Sequence, residues 1–219
     1  MNELMKIFDK YGTDKSTFHE YYGPYDENFS YRREHKINLL EIGVRDCKSL
    51  RSWKEYFPKG KIYGMDIDPS CKSFESEGFK IVIGDQGNEN DLKKFGDTKF
   101  DIIIDDGSHF TEHMVSTFRY MFEHHLKSGG VYVIEDLGCS YIKDFHSTTK
   151  TMSNSKGQSL NKDGMINERH HITDLFESIH QNMDIHDWNN RYGYNKDGPK
   201  KLLYDRMVSY RRIVFIYKS

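Results

Sequence analysis

Ile102-Ile103-Ile104-Asp105-Asp106-Gly107-Ser108-His109 is the stretch whose reading decides the fold. Three β-branched residues in a row predict a strand buried on both faces. Two aspartates stand at its carboxyl end, followed by a Gly-Ser turn and a histidine expected to open a helix. In an open parallel α/β sheet, ligands bind outside the carboxyl ends of the strands. Acids and an imidazole collected there are therefore candidates for chemistry. The pattern recurs at Gly129-Gly130-Val131-Tyr132-Val133-Ile134-Glu135-Asp136, again an apolar strand that ends in two carboxylates. If the two strands are neighbours, four acids and one imidazole meet on one edge of the sheet.

Working outward, residues 37–44, 61–67, 79–85, 100–105 and 130–135 read as strands, and 49–57 and 109–126 as amphipathic helices. Strands alternating with helices of this length imply a parallel, doubly wound α/β sheet. The first 36 residues are aromatic, charged and irregular; Gly12-Thr13-Asp14-Lys15-Ser16 carries a turn or N-cap signal. This segment reads either as a solvated helix and loop or as a lid, in which tyrosines and a lysine could hold a polar ligand. The domain reading is thus a lid or extension at 1–36 and one domain at 37–219. Ser, Thr, Asn, Lys and Gly dominate residues 147–164, a long loop mobile or ordered by a ligand. Leu175, Phe176 and Ile179 mark a short helix, 183–188 a sixth strand, 190–201 a turn-rich insertion and 211–218 the last strand.

The composition excludes several function classes. With 219 residues, 30% of them charged, the net charge is only −2. No basic excess argues for a nucleic-acid partner. The longest apolar runs have about five residues, against roughly 20 for a membrane span, and the start lacks a signal-peptide core. The cysteines Cys47, Cys71 and Cys139 form no Cys-x-x-Cys pair, which suits a reducing compartment and no zinc knuckle. The expected location is the cytoplasm.

Three strand ends suggest a nucleoside. Glu41-Ile42-Gly43 lets the backbone approach a ligand. Asp66, roughly 20 residues after the glycine turn, is placed to accept both hydroxyls of a ribose. Asp85-Gln86 ends the third strand, where an adenine would lie. Val44, Arg45, Asp46 and Cys47 follow Gly43 in place of a glycine triplet. Such a loop suits an adenosyl ligand without phosphate better than a dinucleotide, which disfavours a dehydrogenase.

Leu39-Leu40-Glu41-Ile42-Gly43-Val44, Gly64-Met65-Asp66-Ile67-Asp68 and Asp101 to His109 together resemble a class I S-adenosylmethionine-dependent methyltransferase. Asp106-Gly107-Ser108-His109 with Tyr132-Val133-Ile134-Glu135-Asp136 is similar, more narrowly, to the metal-dependent sugar O-methyltransferases of macrolide (mycinamicin-type) biosynthesis. Gly12-Thr13-Asp14-Lys15, Ser49-Leu50-Arg51-Ser52-Trp53 and Tyr56-Phe57-Pro58 strengthen the match. The resemblance runs from about Tyr11 to Asp136. It implies a Rossmann-like, mostly parallel seven-stranded sheet with an antiparallel last strand. It implies S-adenosylmethionine contacts from Thr13, Glu41, Gly43, Ser49, Asp66, Asp85, Gln86 and Asp105. It also implies Mg²⁺ or Mn²⁺ on Asp106, Glu135 and Asp136, with His109 as general base. Carboxylates suit a hard, oxygen-loving ion, which would acidify a sugar hydroxyl while the imidazole removes its proton. Two departures stand out: Cys47 replaces a loop glycine, and no counterpart of the macrolide enzymes' separate N-terminal domain is seen.

The expected activity is methylation of a hydroxyl on a sugar or a glycosylated or polysaccharide precursor. The alternative is a catechol-type or other small-molecule O-methyltransferase. A non-catalytic adenosylmethionine-binding protein is a third reading. His109-Phe110-Thr111-Glu112-His113 also matches the His-x-x-Glu-His pattern of inverted zinc peptidases. That site needs both imidazoles inside one helix, whereas His109 follows directly from a strand-end turn. A homo-oligomer is left open by the sequence.

Overall fold

The computed structural model describes residues 2–141, 171–192 and 202–219. Seven strands form one sheet in the order β3-β2-β1-β4-β5-β7-β6. These are β1 (Asn38–Ile42), β2 (Lys61–Asp66), β3 (Lys80–Ile83), β4 (Phe100–Asp105), β5 (Leu126–Ile134), β6 (Tyr204–Tyr210) and β7 (Ile213–Lys218). All pairings from β3 to β5 are parallel, and β7 runs antiparallel to both β5 and β6. The expected doubly wound sheet with an antiparallel last strand is therefore observed, and its order reverses between β1 and β4.

The two-residue period of β4 sets up both faces of the sheet. Ile102 and Ile104 join one core with Leu39, Val131, Val133 and Phe215. Ile103 joins the other with Leu40, Ile42, Tyr132, Ile134 and Val214. The first face is covered by α1 (Glu3–Tyr11), α3 (Tyr22–Phe29) and α4 (Lys48–Tyr56), and the second by α6 (Thr111–His124) and α7 (His171–Tyr192). Two short helices are α2 (Asp14–Thr17), which follows α1, and α5 (Glu89–Leu92), which lies between β3 and β4.

The N-terminal segment is not a solvated appendage. Leu4, Phe8, Tyr25 and Phe29 are fully buried in the first core together with Trp53 of α4. The Trp53 ring meets Phe8 edge-on at 5.1 Å and Tyr25 at 4.9 Å. This aromatic wedge fixes α1 and α3 on the sheet and so places the loop and α2 between them.

Two expectations near the carboxyl end are corrected. Residues 183–188 lie inside α7, which has 22 residues and is neither short nor followed there by a strand. Ile172, Leu175, Phe176, Ile179 and Met183 recur at helical spacing against the second core, and that period carries the helix onward. The strand that does precede β7 is β6, whose edge position leaves Asp205 and Arg206 exposed and blurs its alternation. The loop expected at 147–164 lies outside the described residues. So does the insertion at 190–201, apart from 190–192, which close α7, and Leu202 begins the next described stretch. No helix among the described residues is long and apolar enough to cross a membrane.

Replacing Trp53 by alanine should cost about 3–5 kcal/mol, the usual penalty for emptying a buried aromatic site. Trp53→Phe should cost less, because the indole Nε1 has no hydrogen-bond partner to lose. Urea unfolding of both variants checks the ranking; equal losses would show that the wedge is not packed around this ring.

Candidate active site

The carboxyl ends of β1, β2, β4 and β5 open into one cavity of about 670 Å³. Its wall includes Gly12, Thr13, Gly43, Ser49, Asp66 and Asp85 at one end and Asp106, His109, Glu135 and Asp136 at the other. Gly43 sits at the crossing point with a φ of +94°. A Cβ there would stand 2.1 Å from the Asp106 carbonyl oxygen, so only glycine lets the turn after β1 touch the turn after β4.

At the first end, Asp66 organises the loop that follows Gly43. Its Oδ2 accepts the amides of Val44 and Arg45, both at 2.8 Å, and its Oδ1 accepts the Asp68 amide at 2.9 Å. Cys47, in the same loop, takes the left-handed conformation at φ 64°. That costs a side-chain-bearing residue about 1–2 kcal/mol, and the Cys47 side chain is buried beneath α4. Asp85 Oδ1 accepts the Gly87 amide at 2.8 Å. Gln86 reaches the wall, but its amide group is committed inward. Its Nε2 donates to Asp105 at 2.9 Å, and its Oε1 accepts the Ser108 amide at 2.6 Å.

Two residues expected to touch the cofactor stand behind the wall. Asp105 has the parity of Ile103, so its carboxylate enters the second face, where Gln86 and the Tyr132 hydroxyl donate to it. Burial holds its carboxyl above the usual range. Glu41 has the opposite parity and is fully buried on the first face. Its Oε2 accepts the Ser49 hydroxyl at 2.6 Å, and burial, opposed by Lys15, pushes it up to about 7. Neither residue lines the cavity.

At the other end the acids divide into two layers. Glu41, Asp106 and Glu135 turn toward the N-terminal helices, where the ammonium of Lys15 meets them. Lys15 Nζ lies 2.6 Å from Asp106 Oδ2, 2.6 Å from Glu135 Oε1 and 3.3 Å from Glu41 Oε1. The last is a charge contact without hydrogen-bond alignment, since Glu41 Oε1 has no hydrogen-bond donor. Burial alone would drive a proton off this lysine, but Asp106, Glu135 and Glu41 hold its pKa well above the usual range. Tyr25 also donates to Glu135 Oε1. Burial and then Asp106 push Glu135 up, while Lys15 works against them.

The outer layer faces the cavity. Asp106, His109 and Asp136 each offer one ligand atom, all within 4.8 Å of one another. His109 Nε2 is 4.0 Å from Asp106 Oδ1 and 3.7 Å from Asp136 Oδ2. The other oxygen of Asp136 accepts the Tyr21 hydroxyl at 2.7 Å and lies 3.2 Å from His19 Nδ1. Both His109 (φ 57°) and Asp136 (φ 52°) are left-handed, a strain that clusters at functional sites. For Asp136 the twist has a visible result. Strand parity would turn it to the second face, and the left-handed turn brings it back beside His109. His109 does not open the helix as expected: it lies in the turn before α6.

The cavity-facing carboxylate oxygens of Asp106 and Asp136 fit a hard divalent cation, with the His109 imidazole beside them. Glu135, expected as the third carboxylate ligand, commits Oε1 to Lys15 and Tyr25. Cys139 lies nearer than the sequence suggests, yet its thiol is pushed up to about 11, by burial and then by Asp136.

Some residues of the site were not singled out from the sequence. His19 stacks on Tyr21 at a centroid distance of 5.0 Å beside Asp136. His113, which the sequence offered only within the His-x-x-Glu-His pattern, lines the cavity and bonds the Ser108 hydroxyl at 3.1 Å. The tyrosines and lysine of the first 36 residues do form a polar cluster, but they hold the site's own acids.

No protein-family model matches the chain. In sequence it is 36% identical over 153 residues to demethylmacrocin O-methyltransferase of Streptomyces fradiae, covering 65% of this chain and 38% of that enzyme. It is 37% identical over 155 residues to mycinamicin VI 2''-O-methyltransferase of Micromonospora griseorubida, again covering 65% and 38%. In structure it superposes on MycE methyltransferase from the mycinamycin biosynthetic pathway in complex with Mg and SAH. The TM-score is 0.78 at 26% identity, over 99% of this chain and 54% of that one. The fold is thus that of the class I S-adenosylmethionine-dependent methyltransferases, and the similarity to the macrolide sugar O-methyltransferases read from the motifs holds. The matched region spans 38% of the length of these curated relatives.

Tyr25→Phe should destabilise the fold by about 1–3 kcal/mol, since it strips a donor from a fully buried carboxylate. Tyr21→Phe should cost less, because Asp136 is 17% exposed and water can replace the hydroxyl. Thermal melts of the two variants decide the order.

Proposed function

We propose that this chain is a divalent-metal-dependent O-methyltransferase that transfers the methyl group of S-adenosylmethionine to a sugar hydroxyl. The carrying observation is that a single cavity joins the Asp66–Asp85 strand ends to the Asp106–His109–Asp136 group. A nucleoside held at the first end presents its reactive centre to whatever is bound at the second. The relatives named as O-methyltransferases and the Mg- and SAH-bound structure support the assignment.

Asp66, already braced by three backbone amides, offers its remaining lone pairs to the ribose, with Asp85 beside the adenine. Thr13, Gly43 and Ser49 border the amino-acid end. Asp106 and Asp136 hold the divalent ion from adjacent turns. Bound there, the ion supplies Lewis acidity that lowers the pKa of an acceptor hydroxyl, and the methyl donor supplies the electrophilic carbon. His109, beside both carboxylates, takes the hydroxyl proton as its oxygen bonds to carbon.

Calorimetry should show S-adenosylhomocysteine binding, and Asp66→Ala should weaken it, each lost charge-assisted hydrogen bond counting for about 1.5–3 kcal/mol. Binding of NAD with adenosylhomocysteine ignored would end this reading. EDTA should abolish methyl transfer to a panel of nucleotide-linked and lipid-linked sugars, and Mg²⁺ should restore it. Asp106→Ala should lose metal while keeping adenosylhomocysteine. His109→Ala should keep both yet lose roughly 10²–10⁴-fold in turnover, with partial rescue at raised pH. Loss of metal in that variant would make His109 a ligand and require another base.

A further inference from the structure

Two cation places stand side by side at the carboxyl edge and share one carboxylate. The outer place is Asp106–His109–Asp136. The inner is Glu41–Asp106–Glu135, whose ligand atoms also lie within 4.8 Å of one another. The inner place is filled by protein: Lys15 Nζ touches all three acids. Lys15 and Glu135 are each 1% exposed and Glu41 is fully buried, so water does not screen their charges. Three carboxylates this close repel strongly unless a cation lies among them.

Asp106 belongs to both places. Its Oδ2 receives the ammonium at 2.6 Å, and its Oδ1 is the oxygen facing His109. A carboxylate that divides its oxygens between two cations is the arrangement of two-metal sites, where the ions stand about 3.5–4 Å apart. Here one of the two cations is a side chain.

We propose that the Lys15 ammonium occupies the second-ion position of a paired-cation site. It limits the centre to one divalent ion and positions the shared Asp106 carboxylate for that ion. The inference builds on the proposed metal site at the outer place. Lys15 is a positioning residue: its ammonium is bonded to protein acids, and α2 delivers it from the N-terminal segment. A tethered cation cannot be chelated away, so Asp106 keeps its orientation when the divalent ion leaves.

The test is Mn²⁺ stoichiometry in the full chain, read by calorimetry, electron paramagnetic resonance and melting temperature. The variant is Lys15→Met, similar in length and uncharged. Wild type should bind one Mn²⁺ with the spectrum of an isolated ion. Lys15→Met should bind one ion more, with the spectrum broadened by coupling across Asp106. Its Tm should also rise more with Mn²⁺ than that of wild type, because the ion replaces a missing buried charge. Lys15→Arg keeps the charge and should keep the wild-type stoichiometry. No additional ion in Lys15→Met, or a Tm rise no larger than wild type's, overturns the proposal. So does failure of Lys15→Met to fold in saturating Mn²⁺ under conditions where Lys15→Arg folds. A wild-type chain that binds no Mn²⁺ sinks the outer metal site and the paired-cation inference with it, whereas one ion in wild type and none gained in Lys15→Met sinks this inference alone.

Discussion

The contact on which the site depends is the buried ammonium of Lys15 among Glu41, Asp106 and Glu135. Such a cluster is not a source of net stability. Removing the charges of Lys15, Glu41 and Glu135 from water costs several kcal/mol per ion, and attraction repays this only when hydrogen bonds complete it. Ser49 on Glu41 and Tyr25 on Glu135 supply part of that completion. The remainder comes from the aromatic wedge, which buries Phe8, Tyr25, Phe29 and Trp53 on the same face. Hydrophobic burial in α1, α3 and α4 thus holds a polar cluster that would not assemble alone.

Strand parity explains why these acids face one another. Leu39 and Glu41 share a face of β1, as Val131, Val133 and Glu135 do on β5. Ile104 sits level with Glu41 and Val133 in the ladder, and the two acids beyond it part company. Asp105 turns to α6, and Asp106, already in the turn, joins the first face. The adjacent pairs Asp105-Asp106 and Glu135-Asp136 therefore do four different tasks. One braces Gln86, one is shared between Lys15 and His109, one pairs with Lys15 and Tyr25, and one meets His109 and Tyr21.

Much of this could be read from the sequence. The run Ile102–Ile104 announced a doubly buried strand, and the repeated acidic strand ends marked the edge where the cavity opens. Counting parity from Ile102 would also have separated Asp105 from Asp106, because only the two-residue period is needed. The twist that returns Asp136 to the cavity was not legible. A left-handed aspartate carries no sequence mark that distinguishes it from an aspartate in an ordinary turn. The strand β6 was hidden by its edge position, and α7 by a helical period that a short apolar run imitates. Lys15 was noticed only as a group that could hold a ligand. A lysine next to an N-cap threonine is most often solvated, and nothing local tells that α2 points it into the sheet.

The position of α2 gives the N-terminal segment a part in both halves of the cavity. Gly12, Thr13 and Asp14 line the end where the loop after Gly43 passes, and Arg45 of that loop lies 3.7 Å from Asp14. One residue later, Lys15 anchors the acids of the other end, and His19 stands beside Asp136. A displacement of α2 large enough to open the first end would pull the ammonium away from Asp106 and from the buried carboxylates of Glu41 and Glu135. That carries the penalty of uncompensated buried charge, about 3–5 kcal/mol for a broken buried pair. The segment is therefore better described as a fixed wall than as a freely hinged lid.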